Sequence, residues 1–152
     1  MVSTSGSNLL PEEAVTTLIR EILPLTHVLT PNLPEAKLLL RTANVSCKDP
    51  ENIDDFITIA KEIQKLGPEY VLLKGGHLPL TKGWLVGQDD ADRDVVLNVL
   101  CGKEDVTILE TKYQKSRNTH GTGCSLACEF YTHRRMGVFI YVRQPRSPAT
   151  LH

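Results

Sequence analysis

The string Asn118-Thr119-His120-Gly121-Thr122-Gly123-Cys124-Ser125-Leu126-Ala127 concentrates more reactive chemistry than any other part of this 152-residue chain. Gly121 and Gly123 flank Thr122 immediately before a run that can be helical. Residues this small let a ligand approach the backbone, and a helix N-terminus offers unpaired N–H groups and the positive end of a dipole. Such a loop suits an anion. Cys124 falls in the first helical turn, where the same field favours a thiolate. A thiolate there can take a proton from a hydroxyl while the amides hold developing phosphoryl charge. On pattern alone, a glycine-rich turn without any ligand explains the string equally well.

Two further segments have residue types suited to a phosphate site. In Thr30-Pro31-Asn32-Leu33-Pro34-Glu35-Ala36, Asn32 and Glu35 have the spacing of a helix capping box, and on spacing alone capping is the stronger account. Lys74-Gly75-Gly76-His77 follows an apolar run over residues 70–73. A lysine at a strand end before two flexible glycines can reach a phosphate, and a surface lysine before a turn fits as well. His120, Cys124, Cys128 and His133 form a rival, zinc-like set. Gly121 and Gly123 interrupt its helical geometry and its spacings miss the usual finger patterns, so zinc is set aside. Trp84, His27 and Cys47 are read as packing or surface residues.

The elements that must position these segments alternate along the chain. Residues 11–22 have helical apolar spacing at Ala14, Val15, Leu18, Ile19 and Ile22, with Pro11 suited to a first turn and Pro24 as a stop. A short strand is expected over 26–30, then a helix from about 32–34 through Leu40. The clearest helix carries Ile53, Phe56, Ile57, Ala60, Ile63 and Leu66 on one stripe, with Asp49-Pro50 as its start and Gly67-Pro68 as its end. Strands are expected over 70–73, 94–100 and 106–109, the last two as a hairpin turning at Gly102. This order predicts an α/β domain with a partly parallel sheet and an antiparallel edge. All three candidate segments then fall at strand ends or helix starts, where open α/β sheets bind ligands.

Composition bounds the rest. The chain is long enough for one domain with a real core, and 41% hydrophobic with 23% charged residues is ordinary globular composition. A net charge of -1 provides no global attraction for nucleic acid or anionic lipid. No apolar run is long enough to span a bilayer, and residues 1–7 lack the basic and apolar regions of a signal peptide, so a cytosolic (cytoplasmic) setting is expected. Cys47, Cys101, Cys124 and Cys128 contain no CxxC pair and are expected as free thiols. Residues 130–152 differ from the rest: they contain no acidic residue, the four arginines Arg134, Arg135, Arg143 and Arg146, and half of the chain's aromatic residues.

The string NTHGTGCSLA closely resembles the signature of the hydroxymethylpyrimidine/phosphomethylpyrimidine kinases, the thiamine-pathway branch of the ribokinase-like enzymes. In related ribokinase-like enzymes the last position of the GTGx loop is usually an aspartate acting as catalytic base; in this branch it is a cysteine, which matches Cys124. The resemblance implies an anion hole formed by Gly121, Thr122, Gly123 and Cys124, with Cys124 as the base. TPNLPEA is similar to the family's NxxE segment, which implies that Asn32 and Glu35 help hold Mg2+ and phosphate, mainly through water. VLLKGGH is similar to the segment that lies against the nucleotide, which implies that role for Lys74, Gly75, Gly76 and His77.

The implied fold is a partial ribokinase-like three-layer α/β/α sandwich, its sheet mostly parallel with an antiparallel hairpin at the edge. The implied activity is ATP-dependent phosphorylation of hydroxymethylpyrimidine and its monophosphate in thiamine biosynthesis. ATP and Mg2+ are the cofactors, a small pyrimidine is the substrate, no nucleic acid or membrane partner is expected, and a homo-oligomer is an option. A pyridoxine-type kinase and a non-catalytic nucleotide-binding remnant stay open as alternatives. The likeness covers residues 1–128, read as the C-terminal, ATP-binding portion of the kinase domain. Met1-Val2-Ser3-Thr4-Ser5-Gly6 looks like an internal family segment, so the pyrimidine-binding segment that precedes it in the family is expected outside this sequence. After Ala127 the small residues of the family give way to Glu129-Phe130-Tyr131, and residues 129–152 are expected as a divergent, poorly ordered tail, with an abnormal gene model as the suggested origin.

Overall fold

Two capped, amphipathic helices fix the centre of the molecule. The computed structural model describes residues 10–76, 81 and 95–112 of the chain. Helix α1 (Glu12–Thr17) is followed by strand β1 (Val28–Leu29), then by helices α2 (Leu33–Thr42) and α3 (Ile53–Gln64), and then by strands β2 (Tyr70–Lys74), β3 (Val95–Cys101) and β4 (Val106–Lys112). The sheet order is β1-β2-β3-β4. β1 pairs with β2 in parallel, whereas β2–β3 and β3–β4 are antiparallel. The expected α/β class and edge hairpin are present, and the described sheet is mixed, with its single parallel pair formed across α2 and α3.

Several boundaries differ from the sequence expectation for local reasons. The first helix keeps α geometry only to Thr17, then widens into a π turn over Leu18–Ile22 and tightens into a 3-10 turn over Leu23–Leu25. Pro24 has no N–H to give back to the preceding turn and its ring crowds that turn's carbonyl, so a regular helix cannot run through it. α3 starts after Asn52 and not at Asp49-Pro50: the Asn52 side chain accepts the Asp55 N–H at 3.0 Å, giving the helix a true N-cap. β1 covers two residues of the five expected over 26–30. Its backbone bonding continues on either side, with Tyr70 N donating to His27 O and Lys74 N to Pro31 O. Gly67 closes α3 at φ +132°, a conformation open to glycine, and a Cβ there would meet Pro24 Cα at 2.7 Å.

One face of the sheet packs on α2 and α3. Val71 and Leu73 of β2 and Val95, Leu97, Val99 and Cys101 of β3 join Phe56, Ile59, Ala60 and Ile63 of α3 in a single buried cluster. Alternation along a strand sends their neighbours to the other face, so Leu72, Lys74, Asn98 and Leu100 share the opposite side. On that side Leu72 stands in register with Leu100, and Lys74 with Asn98. Burial of side chains such as Phe56 or Leu73, both under 2% exposed, contributes roughly 1.5–3 kcal/mol each relative to exposure. No described helix is long and apolar enough to cross a membrane.

Candidate functional site

The chain leaves β1 through Pro31 and Asn32 and enters α2 with both halves of a capping box made. Glu35 N donates to Asn32 Oδ1 at 2.8 Å, and Asn32 N donates to Glu35 Oε2 at 3.0 Å. Pro34 in the first turn is pre-set for helical φ and has no N–H to satisfy there. Capping is therefore what these two side chains do in the fold. It also holds both, half-buried, at the positive end of a ten-residue helix.

β2 runs parallel to β1 and ends at the same place. Lys74 N donates to the buried Pro31 O at 2.9 Å, and Asn32 and Lys74 form a parallel bridge. Two segments more than forty residues apart thus meet backbone to backbone at the carboxyl ends of adjacent parallel strands. The Lys74 backbone lies beside the N-terminus of α2, and the dipole of a helix N-terminus favours an anion.

The two glycines after Lys74 have different reasons to be glycine. Gly75 is buried, and a Cβ on it would lie 2.1 Å from Leu97 O and 3.4 Å from Phe56 Cζ. β2 could not pass β3 there with any side chain. Gly76 is exposed, and a Cβ on it would meet nothing within 4 Å. Packing requires the first and leaves the second to other causes.

Asn98 is the site residue that sequence reasoning missed. It is the one buried polar side chain among the described residues, 5% exposed, and its Oδ1 accepts the N–H of Gly75 at 3.3 Å. Its only sequence signal was a lone polar residue inside the apolar run Val-Val-Leu-Asn-Val-Leu. That pattern asks what partner offsets the desolvation of an amide.

Of the other expected site residues, His77, Gly121, Thr122, Gly123 and Cys124 lie outside the described residues, as do His120, Cys128 and His133 of the zinc-like set. Cys47 and Cys101 are free thiols. Burial pushes both thiols up, opposed more weakly by Lys37 at Cys47 and by Lys61 at Cys101, so neither is an activated nucleophile. Among the described residues no group of three or more His, Cys, Asp and Glu could hold a metal ion. With one carboxylate between them, and that one bonded to backbone, Asn32 and Glu35 fit Mg2+ held through water and phosphate oxygens better than direct ligation.

The family model for phosphomethylpyrimidine kinase matches residues 1–136. A hydroxymethylpyrimidine/phosphomethylpyrimidine kinase of Rhizobium meliloti is 36% identical over 152 residues, covering 100% of this chain and 50% of the relative. Among solved structures, phosphomethylpyrimidine kinase from Clostridium difficile is similar at TM-score 0.53 and 27% identity, over 89% of this chain and 54% of that one. An ADP complex of Bacillus subtilis pyridoxal kinase is similar at TM-score 0.64 and 26% identity, over 90% of this chain and 45% of that one. The chain spans half or less of the length of the curated relatives it matches. With the family model matched over residues 1–136 of its 152, the chain belongs to the phosphomethylpyrimidine kinase family.

Proposed function

We propose that this chain supplies the nucleotide-side half of a kinase that transfers the γ-phosphoryl group of ATP to hydroxymethylpyrimidine and then to its monophosphate. Family membership over residues 1–136 carries this reading. The junction of Asn32 with Lys74 supports it, because it brings the backbone of a lysine beside a helix N-terminus, two features that suit a polyphosphate.

In the proposed reaction the substrate hydroxyl oxygen attacks the γ-phosphorus in line, and the bond from phosphorus to the ADP oxygen breaks. Lys74 lies along the phosphates and offsets negative charge, with the glycine segment through His77 against the nucleotide. Gly121, Thr122, Gly123 and Cys124 present backbone N–H groups to the oxygens of the transferring group. Cys124, as thiolate, takes the proton that leaves the hydroxyl. Asn32 and Glu35 orient waters at the phosphate end. Asn32 and Glu35 would hold Mg2+ through water, and the ion would offset phosphate charge there. A cytosolic setting fits the composition and the soluble substrates.

Pyridoxal is a second substrate class, favoured by the similarity to the pyridoxal kinase of Bacillus subtilis. The test is ATP turnover by the purified chain with Mg2+ and either hydroxymethylpyrimidine or pyridoxal, beside Cys124→Ala. Pyrimidine-dependent turnover that falls at least ~100-fold in the variant is expected of a catalytic base. Turnover with pyridoxal alone would move the assignment to the second class. ATP binding without turnover on either substrate would identify a non-catalytic nucleotide-binding remnant.

A further inference from the structure

Asn98 interrupts an otherwise apolar strand, and nothing in the capping box or the glycine-rich strings accounts for it. An amide buried this deeply costs about 1–3 kcal/mol unless it is bonded, so its bond to Gly75 is informative. The β2–β3 ladder runs through Lys74↔Asn98 and stops there. At the next position Gly75 lies so close over Leu97 O that regular pairing ends, and its N–H is taken by the Asn98 side chain. An N–H must meet an acceptor, which also sets the Asn98 amide with Oδ1 towards Gly75.

We infer that Asn98 is a positioning residue for the nucleotide segment: its Oδ1 anchors the Gly75 amide and so fixes where β2 delivers Lys74 and Gly76. The inference rests on the reading of Lys74–Gly76 as nucleotide-binding. Lys74 is held on one side by Pro31 O and is followed on the other by this side-chain bond. The anchor therefore acts at the point where the segment leaves the sheet. Leucine, close to asparagine in size, would fill the volume and remove the acceptor. Aspartate would keep an acceptor oxygen in place.

The experiment is residue-resolved amide hydrogen exchange on the 152-residue chain, paired with titration by ATP and Mg2+, for Asn98→Leu, Asn98→Asp and Lys74→Met. In Asn98→Leu the Gly75 amide should exchange at least ~10-fold faster, measured against the ladder amides of Leu72 and Val99. The Kd for ATP should rise by about the same factor, and Asn98→Asp should restore much of the Gly75 protection. Unchanged Gly75 exchange in Asn98→Leu overturns the anchor, whatever ATP does. Faster Gly75 exchange with an ATP Kd unmoved by Asn98→Leu and by Lys74→Met alike overturns the nucleotide reading, and the positioning role with it. If Asn98→Leu does not fold, Asn98→Ser takes its place, its hydroxyl being too short to span to the amide.

Discussion

The two ends of the β1–β2 pair handle polar groups in opposite ways. At the carboxyl end, Asn32, Glu35 and Asn98 all bond to backbone N–H groups and are half-buried or buried. At the amino end, the His27 ring meets the Glu69 carboxylate at 2.5 Å and packs edge-on to Tyr70, with the His27 and Glu69 side chains about half exposed. Side chains bonded to backbone define where the chain goes. A pair bonded only to each other in water defines little, because its attraction is screened and offset by lost side-chain freedom. The carboxyl end is thus built to hold a shape, as a ligand site requires, and the amino end is a solvated surface.

Substitutions at each end can break or sharpen that contrast. The largest effect is expected for Gly75→Ala, whose new Cβ must displace a backbone carbonyl. It should cost ~3 kcal/mol or prevent folding, as read from the midpoint of denaturant unfolding. Gly76→Ala should stay within about 0.5 kcal/mol in the same measurement, so any loss of ATP binding in that variant reports on the ligand and not on the fold. Equal costs at the two glycines would refute the distinction drawn between them.

Asn32→Ala comes next. Losing the cap of α2 should lower stability by about 1 kcal/mol, and Asn32→Ser, which caps as well, should recover most of it. If Asn32 also orders water at a phosphate, the serine variant will bind ATP more weakly than wild type while unfolding at nearly the same denaturant concentration. At the amino end the effect on both stability and ligand is small. Glu69→Gln should change unfolding free energy by less than about 1 kcal/mol and leave ATP affinity unaltered. A larger loss there would mean that the exposed pair is structural after all.

Much of this was visible in the chain itself. The stripe through Ile53, Phe56, Ala60 and Ile63, the capping box of Asn32 and Glu35, and the hairpin turning near Gly102 all depend on neighbours a few residues away. Local spacing is therefore enough to read them. The Pro24 interruption was also legible, although its form, a π turn passing into a 3-10 turn, was not. The start of α3 was misplaced because Asp49-Pro50 and Asn52 are both acceptable openings. The choice fell to the residue whose side chain reaches the Asp55 amide.

By itself, then, the sequence determined the helices and the strands, since periodicity, capping and glycine placement are short-range properties. Only the tertiary structure decided that Asn32 and Lys74 share a backbone junction, that Gly75 is demanded by Leu97 while Gly76 is not, and that Asn98 bonds the Gly75 amide. Each of those facts is a contact between strands or helices distant in the chain. Such contacts arise from how one sheet face packs on α2 and α3, and no spacing within a single segment encodes them.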